Sequence, residues 1–203
     1  MNWETLNIVG TAAFAISGAI VAREEAYDII GIFVLGLVTA FAGGIIKNLL
    51  IGVPPTVLWQ QGTLLLMALA AIVATILLPG RWVGQWKRRG TLFDALGLAA
   101  FAIQAASQAR SLALPLGAVV VAAVLTGVGG GIVRDVLAGR KPLVFRDEIY
   151  AVWALLAGVV VWLGWADGGI GAALLFLAVV ALRLAAVRWR WRLPHPALPK
   201  ASG

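Results

Sequence analysis

Apolar residues come in long runs along this chain, and polar ones collect between the runs instead of alternating with them. Stretches of about 17 to 25 predominantly apolar residues recur, the length that crosses a hydrocarbon core of roughly 30 Å as α-helix. Seven are read, at roughly 6–22, 29–51, 57–78, 93–109, 113–139, 149–166 and 169–187. The punctuation between them suits helix ends. Pro79-Gly80 closes the third, and Gly90 with Asp94 opens the fourth, Asp94 being read as a helix cap. The pattern predicts an all-α membrane protein with seven transmembrane helices.

The pattern also repeats at a constant offset of 87 residues. Gly10–Ile16 (GTAAFAI) returns as Gly97–Ile103 (GLAAFAI), and Thr39–Pro55 (TAFAGGIIKNLLIGVPP) returns as Thr126–Pro142 (TGVGGGIVRDVLAGRKP) without an insertion. The expected organisation is a first three-helix repeat over 1–79, a basic linker at 80–92, and a second three-helix repeat over 93–166. A seventh helix at 167–187 and a basic tail at 188–203 follow. A unit with an odd number of spans enters the membrane upside down the second time. The two copies are then related by a pseudo-two-fold axis in the membrane plane, an inverted repeat of two three-helix bundles.

Both copies carry the same irregularity. Spans two and five hold glycine clusters, Gly43-Gly44 in one and Gly129-Gly130-Gly131 in the other. Glycine costs about 1 kcal/mol against alanine inside a helix, so consecutive glycines are expected to kink or unwind it. An unwound turn exposes peptide groups that lipid leaves unsatisfied, and it is tolerated only in protein or facing water. A lone glycine pair reads as close helix packing. The same pair at matched positions, each followed by a cation, reads as a pathway.

The cations are Lys47 and Arg134, equivalent across the repeats. A cation at membrane depth costs at least about 2.5–3.5 kcal/mol unless it finds water, a partner or the interface. Asp135 is placed to neutralise Arg134, whereas Asn48 stands at that position in the first copy. The expected role of these four is to anchor a gate or tune the field of an aqueous path; the alternative is that both long side chains snorkel to the headgroups. Thr39 and Thr126 match and precede the glycines by a turn, lining the path or bonding back to helix carbonyls. Phe14 and Phe101 also match and are read mainly as packing.

Composition narrows the class. The chain is 62% hydrophobic with a mean hydropathy of +0.97, which leaves too few polar residues to clothe a soluble core. The absence of cysteine excludes disulfides, thiolate metal sites and cysteine nucleophiles. Met1-Asn2-Trp3-Glu4 lacks the basic segment of a cleavable leader and is read as the start of the first repeat.

The net charge of +7 follows topology. Seven spans put Arg23, Arg81, Lys87-Arg88-Arg89, Arg140, Lys141, Arg146 and the tail arginines on one side, and Arg110 alone on the other. That asymmetry predicts an N-terminus outside and a C-terminus in the cytoplasm, in an inner (plasma) membrane. The Arg188-Trp189-Arg190-Trp191-Arg192 alternation suits anchoring at anionic lipid headgroups better than nucleic-acid binding, and no nucleic-acid partner is expected.

No catalytic constellation emerges, and neither a cofactor nor a resident metal is implied. Asp94 and Asp135 are the only intramembrane candidates for a carboxylate pair, and the lone His195 lies in a proline-rich tail. Arg146-Asp147-Glu148 is read as the acidic start of span six.

Three segments resemble the prokaryotic TRIC family, the trimeric intracellular cation channels. They are GTAAFAISGA at 10–19, DALGLAAFAI at 94–103 and, above all, TGVGGGIVRDVLAGRKPLVFRDEIYA at 126–151. The likeness runs from about 6 to 165. It implies a homotrimer with an hourglass pore in each subunit, lined largely by glycine-broken helices two and five. The implied cargo is potassium, with sodium also passing. The family pattern has GGG followed by Arg-Asp in both copies; here the first copy reads Ala42-Gly43-Gly44 and Lys47-Asn48. The same domain also carries the label of glycine transporter, so a carrier for a small zwitterion such as glycine is the alternative. Broken helices would supply carbonyls to a cation and amides to a carboxylate alike.

Overall fold

The computed structural model describes residues 1–79, 87–145 and 149–191. Within them the secondary structure is entirely helical: α1 (Trp3–Glu24), α2 (Ile29–Leu50), α3 (Gly62–Leu77), α4 (Lys87–Ser111), α5 (Leu116–Leu137), α6 (Ala151–Trp162) and α7 (Gly168–Trp189). Short 3-10 helices at Pro55–Gln60 and Leu143–Phe145 precede α3 and α6. The helix starts are set locally. The Asn2 side chain accepts from the Thr5 amide at 2.8 Å, and Asp28 accepts from the Gly31 amide at 2.7 Å, each satisfying a donor that the helix leaves orphaned.

The duplication is written into the backbone. Ala26 (φ 56°) and Ala113 (φ 55°) turn α1 into α2 and α4 into α5, and Gly52 (φ 73°) and Gly139 (φ 68°) follow α2 and α5. Each pair differs by the offset of 87. The turn after α2 is closed by the Val53 amide on the Asn48 carbonyl, and the turn after α5 by the Arg140 amide on the Asp135 carbonyl, both at 2.8 Å.

Packing fixes the inversion. An added Cβ on Gly10 would strike the Phe101 ring at 2.8 Å, and one on Gly97 the Phe14 ring at 2.1 Å. A Cβ on Gly43 would lie 2.4 Å from the Thr126 carbonyl oxygen, and one on Gly130 at 2.4 Å from that of Thr39. In both crossings the numbers ascend on one helix as they descend on its equivalent. α1 therefore crosses α4 antiparallel, and α2 crosses α5 likewise, about an axis perpendicular to the helices. Phe14 and Phe101 meet edge to face at that axis, with centroids 5.3 Å apart.

In lipid, helices gain little by escaping their solvent, so close approach between small residues carries association. That accounts for α4, where Ala95, Ala99, Ala102, Ala105, Ala106 and Ala109 are all fully buried. This helix packs on α1, α5, α6 and α7, while α3 packs on α1 and α2. The outward faces stay apolar, as at Ile30, Leu66, Leu77, Ile170 and Leu174.

Four expectations are revised. α2 and α5 run as unbroken α-helix through Gly43-Gly44 and Gly129-Gly130-Gly131, so the unwound turns expected there do not form. The glycines admit the partner helix's backbone instead, and that contact offsets their intrinsic cost. α4 begins at Lys87, inside the segment read as linker, which places Asp94 two turns into the helix and removes its capping role. Spans three and six are shorter than read, at 16 and 12 residues, because Pro54-Pro55 leads only into a 3-10 turn and Gly164 (φ 80°) stops the chain after Trp162. Five of the described helices remain long and apolar enough to cross a bilayer unaided. Residues 80–86, Arg146-Asp147-Glu148 and the tail from Arg192, His195 included, lie outside the described residues.

The steric reading makes a paired prediction. Gly130→Ala forces the α2–α5 crossing apart and is expected to lower stability by about 1–3 kcal/mol, as overpacked contacts do. Gly117→Ala, whose Cβ meets nothing within 4 Å, is expected to be neutral or slightly stabilising. Thermal unfolding of the detergent-solubilised protein checks both.

Candidate functional site

The C-terminal turns of α5 carry Arg134 and Asp135 inward, both 3% exposed. The Arg134 Nε donates to Asp135 Oδ1 at 2.8 Å, and Nη1 donates to Ser17 Oγ at 2.6 Å and to Asp94 Oδ1 at 2.9 Å. Asp94 is 1% exposed, so three charges are buried together with one positive and two negative. A guanidinium is suited to this because its fork meets several acceptors at once. The other oxygen of Asp135 accepts from the Leu143 amide at 3.0 Å, which fixes the loop leading to α6.

The cluster lines a cavity of about 330 Å³ bounded by the end of α1, the start of α4 and the end of α5. At its rim Arg140 donates to Glu24 at 2.8 Å and also bonds Glu25. Tyr150 lies beside the cluster without lining the cavity: a Cβ on Gly131 would lie 3.3 Å from its hydroxyl and 3.4 Å from Asp94 Oδ1. Arg183 of α7, fully buried, stacks its guanidinium 4.6 Å from the Tyr150 ring centre. The helix without a repeat partner is thereby tied to the cluster.

A second, smaller cavity of about 20 Å³, near the room one water needs, lies at the other end of α1 and α4. Its polar lining is Asn7, Thr11, Lys47, Asn48, Gln61 and Gln104, with Phe101 and Gly44 completing it. Lys47 and Arg134 are 6% and 3% exposed, so neither cation snorkels to the surface, and Asn48 is buried beside Lys47. Lys47, Asn48, Asn7 and Gln104 are the offset mates of Arg134, Asp135, Asp94 and Ser17. The two cavities therefore share four repeat-related lining positions, while differing in size.

Between them lies the helix crossing. Thr39 bonds back to the Leu35 carbonyl at 2.6 Å, the more conservative of the two roles read for it. Thr126, also fully buried, has a hydroxyl with no hydrogen-bond partner among the described residues. Gly43 and Gly130 hold the backbone contacts described above, and Gly129 faces Ile46. Neither threonine lines either cavity.

The structure thus separates the predicted residues into groups. Arg134 with Asp135 and Lys47 with Asn48 mark the two cavities, while the threonines and most of the glycines form the partition. The local reading missed Asp94 as an ion-pair partner, Asn7, Tyr150 and Arg183. Projecting each polar residue through the offset would have found Asn7 from Asp94. A cation within span seven was the available signal for Arg183.

At the far end of α4, Arg110 bonds Asp167 at 3.1 Å and holds that exposed carboxyl below its ordinary range, chiefly through the hydrogen bond. The Met1 ammonium donates to the Gly169 carbonyl, so the start of α7 is fastened to both α4 and the N-terminus.

Known proteins share this arrangement. A family model described as "Glycine transporter" matches twice, over residues 4–79 and 91–166, in the same 87-residue register. The UPF0126 membrane protein YvgT of Bacillus subtilis (strain 168) is 54% identical over 195 residues, spanning 96% of each chain. A prokaryotic TRIC channel solved in 0.5 M KCl superposes with a TM-score of 0.82 at 34% identity, covering 94% of this chain and 98% of that one. The TRIC trimeric intracellular cation channel orthologue from Rhodobacter sphaeroides gives 0.81 at 30% identity, with 93% and 98% covered. Matched in both repeats by sequence and almost end to end by fold, the chain belongs to the duplicated membrane family of the prokaryotic TRIC channels, whose family model bears the glycine-transporter description.

Proposed function

We propose that the protein is a monovalent-cation channel, permeable to potassium and also to sodium. It works as a homotrimer with a separate path through each subunit, in the inner membrane, with the N-terminus outside and the C-terminus cytoplasmic. The observation that carries this reading is the pair of polar cavities at opposite ends of one bundle, related by the pseudo-two-fold and divided only by the central crossing. The described conformation is occluded there, since Phe14, Thr39 and Thr126 are almost completely buried. Conduction requires α2 and α5 to loosen at Gly43 and Gly130. The carbonyls of Thr39 and Thr126, already turned to the axis, then offer oxygen dipoles to a dehydrating cation. The TRIC names of the solved relatives support the same activity.

A carrier for a small zwitterion such as glycine is the second reading, supported by the family model's description. The geometry favours it less. Arg134 spends its Nε and one Nη on Asp135, Asp94 and Ser17, so it does not offer a substrate carboxylate its two-pronged face.

Proteoliposomes under a set membrane potential decide between the two. Potassium flux that follows its electrochemical gradient, without saturable uptake of labelled glycine, is the expected outcome. The reverse pattern sinks the channel reading. Asp94→Asn is expected to reduce potassium entry at least about threefold, and by more at low ionic strength, because a vestibule charge concentrates cations and salt screens it. Unchanged flux at low salt removes the larger cavity from the path. Lys47→Ala is expected to alter flux while the protein still assembles; wild-type behaviour would dismiss Lys47 as a path residue.

A further inference from the structure

Projecting the repeats onto each other maps Asn7 onto Asp94, Asn48 onto Asp135 and Gln61 onto Glu148. Each of these three carboxylates of the second repeat has an amide of the same length and shape in the first. The exchange keeps volume and hydrogen-bonding reach and removes charge alone. Glu148 lies outside the described residues, but the other five side chains are placed: the three amides line the smaller cavity with Lys47, and the two aspartates line the larger with Arg134. Arg140 and Glu24 also line the larger cavity, which leaves it one negative charge in excess. The smaller has one positive charge and no carboxylate in its lining.

We infer that the pore is a rectifier, in which cations pass more readily from the larger, acidic cavity towards Lys47 than in the opposite direction. The inference rests on the channel reading and adds a polarity to it. Two opposite fixed charges at the two ends of a low-dielectric path act on an ion far more strongly than they would in water. A cation entering through the larger cavity meets a well first and the repulsion of Lys47 last. Its main barrier lies near the far exit, with most of the applied potential already behind it. Entering from the other end, it meets the barrier at once, before the potential has done work on it. Lys47 sets the height of that barrier, whatever hydrogen bonds its ammonium makes, because those bonds leave its charge in place. A symmetric duplication alone predicts equal currents in both directions, so the three amides turn a symmetric scaffold into a polar one.

Single-channel recording of the full-length trimer in planar bilayers, with identical KCl solutions on both sides, tests this. The wild type is expected to pass unequal currents at equal and opposite voltages, with a ratio of ~3 or more. Asn48→Asp and Lys47→Met are each expected to bring the ratio towards one. The chain has no cysteine, so Thr91→Cys supplies a single thiol at the larger cavity without changing its charge. The chamber from which an impermeant thiol reagent changes the current then faces that cavity. The larger cation current must leave that chamber. A linear wild-type current, the opposite polarity, or a ratio that neither variant changes would each overturn the inference while leaving the channel reading intact. Absence of any potassium current from assembled wild-type trimers would overturn the channel reading, and the inference with it.

Discussion

Two backbone oxygens, on Thr39 and Thr126, press against two glycines, Gly130 and Gly43, and this contact sets the distance between the halves of the molecule. No side chain fits there. Once the α2–α5 distance is fixed, the positions of the inward residues one turn further on follow, with Lys47 carried towards one end and Arg134 towards the other. The Phe14–Phe101 pair fills the same axis from α1 and α4, each ring lying over a glycine of the opposite helix. The partition between the cavities is therefore backbone and aromatic carbon. Water and charge are kept to either side of it.

The buried charges depend on that partition in different ways. Arg134 is stabilised by two carboxylates and a hydroxyl, so removing any one partner exposes the rest to an uncompensated cost. Lys47 sits among amides and a threonine, whose dipoles solvate a cation without cancelling it. One half thus holds a cation paired with carboxylates and the other a cation among neutral dipoles. The difference arises from isosteric exchanges and needs no change in backbone.

Much of this was legible in the sequence because the governing signals are periodic. Hydropathy gave the seven helices, and an offset without insertions gave the inverted duplication, since nothing but a repeat produces such a register. Lys47 and Arg134 stood out as cations in apolar runs, and both proved buried. What was not legible depends on partners far along the chain. Asp94 looks like a cap when read beside Gly90, because its true partner is 40 residues away. The glycine clusters read as breaks for the same reason: what fills the space over a glycine is a different helix. Helix lengths failed where a 3-10 helix at Pro55–Gln60 takes up the start of one apolar run and Gly164 ends another, neither of which hydropathy marks.

The two shortest helices, α3 and α6, are counterparts across the repeats and flank the bundle from opposite sides. At 1.5 Å per residue their 16 and 12 residues span about 24 and 18 Å, against a hydrocarbon thickness of roughly 30 Å. Leu155, Leu156, Trp162 and Trp165 are exposed along or just beyond α6, with an indole at 75% exposure where the helix has already ended. Tryptophan settles at the headgroup boundary, so the lipid next to α6 must draw that boundary inward. The bilayer beside α6 is then dimpled rather than flat. The thickness and tension of the host membrane thereby become mechanical variables acting on the same helices that frame the two cavities.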